Sequence, residues 1–411
     1  RPQRCKPLET ELIMKVLLLE NIHHKAEKFF RNENYQVETN SSSYEEDELI
    51  EKLQGVQIIG IRSKTDMTKR VLDESPDLLA VGAFCIGTNQ IDLESCNRAG
   101  VAVFNAPYSN TRSVVELTVS NIIALLRKVF DRSKLMHNGR WEKSAKNSFE
   151  VRGKKLGIIG YGNIGSQLSI LAEALGMKVY FYDIDDKLPL GNAEKCDSME
   201  QLLEVSDIVT VHVDGRDSNR NLIDEEEFAR MKDGAIFINA SRGFVVNIEA
   251  LAKYLKAGKL GGAAIDVYPE EPKVKHTDYK TVLQNLPNTI LTPHIGGSTE
   301  EAQKNIADFV PIKLHDFIKK GSTVSSVNFP NLQLPQIKNE HRIVHIHENV
   351  PGVMGKLNNI FATNNINIER QFLKTRDGLG YVITDIKKEY DKDILQQVKD
   401  IDGTIRVRVL Y

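Results

Sequence analysis

Leu156-Gly157-Ile158-Ile159-Gly160-Tyr161-Gly162-Asn163-Ile164-Gly165 joins an apolar run to a glycine-rich turn. Beyond it Ile164, Leu168, Leu171, Ala172 and Leu175 recur at helical spacing. A second apolar run then ends at Asp183, about twenty positions after Gly160. Strand, GxGxxG turn, helix and strand in that order are the phosphate end of a βαβ unit. Gly160 permits the tight turn, Gly162 lets backbone approach a pyrophosphate, and Gly165 allows close helix–strand contact. Asn163 and Ile164 open the helix, whose unpaired N–H groups and positive dipole end favour phosphate. Asp183 suits a ribose 2′-hydroxyl and repels a 2′-phosphate, so the expected cofactor is NAD rather than NADP.

Working outward, further strand candidates lie at 179–182, 208–213, 235–239, 262–267 and 289–291, with Gly, Asp or Asn punctuating their ends. Upstream, short apolar runs at 15–20, 58–61, 78–82 and 101–104 alternate with helical patterns, a second parallel α/β series. One long amphipathic helix is expected over 113–130, bridging the two series. Residues 321–340 are polar with two prolines and read as a linker of limited order. The segments 342–347, 355–364, 366–372, 380–386, 392–399 and 404–410 then follow the β-α-β-β-α-β order of a ferredoxin-like module.

At 411 residues the chain has room for two or three domains. With 54 Lys+Arg against 56 Asp+Glu it lacks the basic excess of a nucleic-acid binder. No apolar stretch is long enough to span a membrane, and residues 1–10 have no apolar core of a secretory leader. Cys5, Cys85, Cys96 and Cys196 are scattered without CxxC spacing, which suits a reducing, cytoplasmic setting and no structural metal. The strand His345-Ile346-His347 has no Cys or acidic cluster after it, so no metal site is expected there.

Three charged residues follow strand candidates of the second series: Arg242, Glu271 and His294. Carboxyl ends of strands in a doubly wound sheet line a ligand crevice, so all three point to one place. Oxidising a 2-hydroxy acid removes a hydride from C2 and a proton from its hydroxyl. A histidine can take that proton, a carboxylate can fix its tautomer, and an arginine fork matches the substrate carboxylate.

The segments 153–165 (GKKLGIIGYGNIG), 239–243 (NASRG), 263–272 (AAIDVYPEEP) and 291–299 (LTPHIGGST) resemble the D-2-hydroxyacid dehydrogenase family. More narrowly, 81–92 (VGAFCIGTNQID), 104–117 (FNAPYSNTRSVVEL) and 345–352 (HIHENVPG) are similar to its branch that acts on 3-phosphoglycerate and carries one C-terminal ACT regulatory domain. The resemblance implies an α/β protein of three modules. These are a flavodoxin-like discontinuous substrate domain (11–108 plus 297–330), a Rossmann-type doubly wound nucleotide domain (109–296) and, after a linker at 331–340, a ferredoxin-like ACT domain (341–411). It implies Arg242, Glu271 and His294 as catalytic residues, Glu271 being the acid before the proline rather than Glu270. Ala240 and Asp266 join the NAD site. Substrate contacts would be Arg62, Ser63, Cys85, Ile86, Gly87 and Asn110, with Lys143 approaching from a neighbouring subunit of a homotetramer, and Trp141 at the subunit interface.

The implied reaction is NAD-dependent oxidation of 3-phosphoglycerate to 3-phosphohydroxypyruvate, the first step of serine synthesis. L-serine is then the expected feedback effector, held by His347 and Asn349 with Asn367 across an ACT pair. Where the family's bacterial pattern has an arginine, this chain has Val350. Alternatives are a dehydrogenase of another small acid such as 2-hydroxyglutarate, a non-catalytic NAD-sensing binding protein, or an amino-acid sensor with an inactive catalytic module.

Overall fold

Five short apolar runs build the first sheet: β1 (Lys15–Leu18), β2 (Gln36–Thr39), β3 (Ile58–Ile61), β4 (Ala80–Ala83) and β5 (Ala102–Phe104). They lie in the order β2-β1-β3-β4-β5 with every pair parallel. Val16 and Leu18 join the core on one side, Leu17 and Leu19 the core on the other, as a pleat of period two requires. Because helices cover both faces, the strands read as unbroken apolar runs. The computed structural model describes residues 13–272, 277–335, 340–387 and 392–410. This sheet belongs to the first of two compact units, the residues up to Pro107 together with those from Gln303; the second unit is Tyr108–Ala302.

The second unit is a seven-stranded parallel sheet of β6 (Lys155–Ile159), β7 (Lys178–Tyr182), β8 (Glu194–Lys195), β9 (Ile208–Val211), β10 (Ala235–Asn239), β11 (Leu260–Ile265) and β12 (Thr289–Leu291). Its order, β12-β11-β10-β9-β6-β7-β8, reverses direction between β6 and β9, the switch point of a Rossmann sheet. The helix expected over 113–130 is broken: Thr111–Arg127 ends at Lys128, which is left-handed (φ 53°), and Val129–His137 starts afresh. Val129 and Phe130 continue the apolar spacing yet stay exposed, so the periodicity there is not matched by burial.

The C-terminal module is an antiparallel sheet of β13 (Glu340–Glu348), β14 (Ile368–Arg376), β15 (Leu379–Lys387) and β16 (Thr404–Val409), ordered β14-β15-β13-β16. Helices Val353–Thr363 and Lys392–Lys399 lie on one face, where Ile343 and Val382 meet Leu357, Phe361 and Val398. The other face does not end in solvent. Val344, Ile346, Tyr381 and Ile383 share one apolar core with Phe317, Phe329, Leu332 and Leu334 of the preceding chain.

That continuity corrects the expectation of a loose linker. Residues 321–335 are anchored along their length, while 336–339 lie outside the described residues. Asn328 acts as an extra rung on the edge of β5: its Oδ1 accepts from Val103 N–H at 2.8 Å and its Nδ2 donates to Val101 O at 2.9 Å. Thr323 bonds Pro330 O at 2.6 Å and receives Leu332 N–H at 2.9 Å. The segment is polar because its Ser, Thr and Asn side chains complete backbone hydrogen bonds, not because it is solvated. Arg342, fully buried, donates to both Asp385 oxygens (2.7 and 2.8 Å) and to the carbonyls of Lys320, Leu334 and Pro335. Arg406 reaches the carbonyls of Leu78 and Ala99, and Arg408 that of Ile318.

Candidate active site

Arg242, Glu271 and His294 each follow a strand of the second unit: β10 ends at Asn239, β11 at Ile265 and β12 at Leu291. Parallel pairing brings these carboxyl ends to one edge, so residues distant in sequence meet. His294 Nδ1 lies 2.6 Å from Glu271 Oε2, and Tyr268 N–H donates to Glu271 Oε1 at 3.0 Å. Gly243 packs on the Tyr268–Pro269 backbone too tightly for any Cβ, which pins the turn after Arg242 to the loop carrying Glu271. Asn239 holds that turn from below, accepting from Ser241 N–H and Oγ–H and donating to Arg242 O at 3.0 Å. The Arg242 guanidinium donates to Ser241 O at 2.7 Å.

His294 sits in the left-handed region (φ 52°), which a histidine keeps only when its surroundings hold it there. Asp266, 2% exposed, does the holding. Its Oδ1 accepts from Thr292 Oγ1 at 2.6 Å and Ile295 N–H at 2.9 Å, its Oδ2 from Gly296 N–H at 2.8 Å, and its carbonyl from His294 N–H at 2.8 Å. Expected among the cofactor contacts, Asp266 thus has both carboxylate oxygens engaged by the histidine loop. Asn110 packs against Gly297 in the same loop, and its Oδ1 is buried without a partner.

The charges are coupled. The bond from Glu271 lifts the His294 pKa above the ordinary 6.5, against burial and the Arg242 charge, which lower it. Burial disfavours the Glu271 anion, but the His294 bond, the Tyr268 N–H and Arg242 together hold its pKa below the usual glutamate value. A proton acceptor with a raised pKa is neutral only at higher pH. For the expected role of His294 as proton acceptor, kcat/KM should therefore climb through a pH above 6.5, and Glu271→Gln should move that limb downward while costing about a hundredfold in rate. A pH–rate profile checks both; an unmoved limb would assign it to another group.

The glycine turn fits a dinucleotide. Gly160 has φ 91° and lies against His212 O; a Cβ on Gly165 would strike Gly160 O; Gly162 has open space where a Cβ would stand. The helix Asn163–Ala174 has no side chain capping its first turn, leaving room for a phosphate at its N–H groups. Asp183 Oδ2 accepts from Tyr161 N–H at 2.7 Å and Oδ1 from Asp185 N–H at 2.9 Å, so it also braces the turn. Tyr161, not singled out by the motif, stacks on Phe181 at 3.8 Å and bonds Ser169. Ala240 lies half-buried between Asn239 and Ser241.

In the first unit, Arg62, Ser63, Cys85, Ile86 and Gly87 form one group. Arg62 O accepts from Gln90 Nε2 and from the Cys85 thiol at 3.5 Å, the thiol also reaching Gly87 O at 3.1 Å. Asn105 Nδ2 donates to Ile86 O at 2.6 Å. Gln90 and Asn105 were not expected; nothing in their local sequence distinguishes them from ordinary loop amides. Lys143 lies on an exposed stretch beside Trp141, which is 81% exposed.

In the C-terminal module His347 is buried, with Nδ1 2.7 Å from Glu348 O and Nε2 unpartnered, and faces Gly380. Asn349 is exposed, and Asn367 is exposed with its amide on Glu369. His347 pairs with Gly380 at the start of β15, whereas Ile368, next to Asn367, pairs with Ile386 near its end. A single chain therefore does not bring these residues together. Among the described residues no cluster of His, Cys, Asp and Glu could hold a metal, and no helix is long and apolar enough to cross a membrane.

Known proteins resemble the chain along nearly its whole length. Residues 119–296 match the D-isomer specific 2-hydroxyacid dehydrogenase, NAD binding domain, and residues 343–406 match the AHAS small subunit-like ACT domain. D-3-phosphoglycerate dehydrogenase of Dictyostelium discoideum is 51% identical over 398 residues, covering 97% of both chains. The enzyme of that name from Haemophilus influenzae is 50% identical, again over 97% of each. Among solved structures, D-2-hydroxyisocaproate dehydrogenase superposes with a TM-score of 0.70 at 26% identity, covering 77% of this chain and all of that one. The chain is an NAD-dependent oxidoreductase and belongs to the D-3-phosphoglycerate dehydrogenase family.

Proposed function

We propose that the chain oxidises 3-phosphoglycerate to 3-phosphohydroxypyruvate, the entry reaction of serine synthesis. The observation that carries this is the 2.6 Å contact of His294 with Glu271 beside Arg242, in a chain half identical to enzymes of that name. His294 accepts the C2 hydroxyl proton on Nε2, because Glu271 occupies Nδ1 and favours the imidazolium that forms. Arg242 orients the substrate by pairing with its carboxylate. NAD held beside this site would supply the acceptor for the C2 hydride. Gly160–Gly165 would hold its pyrophosphate and Asp183 its ribose. Arg62 and Ser63 bind the phosphate, a dianion suited to a forked cation.

The C-terminal module is proposed to sense L-serine. The β15 register supports a site shared by two copies, His347 and Asn349 from one and Asn367 from the other. The exposed Trp141 supports a second interface, through which Lys143 reaches a neighbour, and so a homotetramer. A cytoplasmic setting is supported by the buried, free thiols of Cys96 and Cys196.

The test is NADH formation from 3-phosphoglycerate, with and without millimolar L-serine, in wild type and Arg62→Ala. Wild type should prefer 3-phosphoglycerate over D-2-hydroxyglutarate and slow when serine is added. Arg62→Ala should raise KM for 3-phosphoglycerate by about a hundredfold, the loss of a charge-assisted bidentate contact. Preference for the unphosphorylated acid in wild type would refute the assignment, and indifference to serine would refute the effector.

A further inference from the structure

Glu20 lies at the end of β1 and belongs to none of the motifs singled out above. It is 7% exposed. Four successive backbone N–H groups converge on its carboxylate: Arg62 at 3.0 Å and Thr65 at 2.9 Å on Oε1, Ser63 at 3.0 Å and Lys64 at 3.1 Å on Oε2. No Lys or Arg side chain pairs with it among the described residues, and both carboxyl oxygens are taken up by these N–H dipoles. Glu20 (φ 59°) and Asn21 (φ 53°) are both left-handed, and their N–H groups donate to Ser42 O and Asn40 O. The same turn is tied from its other side, where Arg62 O accepts from Gln90 and Cys85.

We propose that Glu20 is the positioning residue of the phosphate subsite, fixing the 62–65 turn so that the Arg62 guanidinium is presented to the substrate. A turn of consecutive N–H groups is an anion cradle, and here a carboxylate of the chain itself already fills it. The substrate phosphate is then left to side chains, the Arg62 guanidinium and the Ser63 hydroxyl. That guanidinium makes no hydrogen bond or ion pair among the described residues, as a group kept for a ligand should be. The inference rests on the phosphoglycerate assignment above.

Glu20→Gln puts an NH₂ donor where an acceptor oxygen stood, facing two of the four N–H groups. With the full-length enzyme, KM and kcat are measured for 3-phosphoglycerate and for D-glycerate, and the Kd of NADH by its fluorescence. The substitution should raise KM for 3-phosphoglycerate by about tenfold or more, with KM for D-glycerate and the NADH Kd changing less than about twofold. In an Arg62→Ala background it should add less than about twofold, because its target is gone. Equal increases for the two acids, or an undiminished effect in the Arg62→Ala background, would overturn the proposal and leave Glu20 a purely structural residue. If Glu20→Gln does not fold, Glu20→Asp, which keeps the charge but draws the turn inward, is judged by the same criteria. A wild-type enzyme that turns over D-glycerate but not 3-phosphoglycerate overturns the substrate assignment and this inference with it. Turnover of 3-phosphoglycerate with no shift in Glu20→Gln overturns the inference alone.

Discussion

Alanine in place of His294 should lower kcat for 3-phosphoglycerate oxidation by about three orders of magnitude, within the range that a positioned proton acceptor supplies. The NADH Kd should change by less than about threefold, because His294 is carried by the loop after β12 and the glycine turn follows β6. The loop itself should persist. Asp266 holds it through Thr292, Ile295 and Gly296, none of which involves the imidazole. Single-turnover measurement separates this from a folding defect: hydride transfer slows, binding does not. A variant with more than a tenth of wild-type turnover would remove His294 from the chemistry.

Arg342→Met should destabilise the first unit by about 3–5 kcal/mol, the cost of leaving a buried charge without its main partner. Asp385 is 1% exposed and, among the described residues, would retain only Arg370, at 2.5 Å. The carbonyls of Lys320, Leu334 and Pro335 would lose a donor as well. For a unit of this size the melting midpoint should fall by about 10 °C. Arg342→Met combined with Asp385→Leu should recover much of the loss, since an apolar pair of similar volume often replaces a buried ion pair at little cost. Equal melting points for the single variant and wild type would show that the pair contributes nothing.

Much of this was legible in the chain. The GxGxxG turn, the later strands and the three strand-end charges are local signals, set by backbone sterics and by alternation of apolar residues. What escaped was written in distance rather than in order. β2 buries only Val37 and β8 buries nothing, so neither edge strand carries a pattern. The 321–335 segment has the composition of a flexible tether, yet Asn328 and Thr323 turn its polarity into rungs on β5 and on the chain itself. Glu20 looked like the charge that ends an apolar strand; only the fold reveals that four N–H groups from another loop meet there. Asp266 is expected in the NAD site from its sequence; only the fold shows its carboxylate accepting from Thr292, Ile295 and Gly296 of the histidine loop.

The shared core beneath the C-terminal sheet has a practical side. Tyr381, Ile383 and Val344 are the lid on Phe317 and Phe329. Cutting the gene before residue 340 would not release a leaner, unregulated catalyst. It would bare a greasy seam on the catalytic half, and the shortened polypeptide should clump before its kinetics could be read.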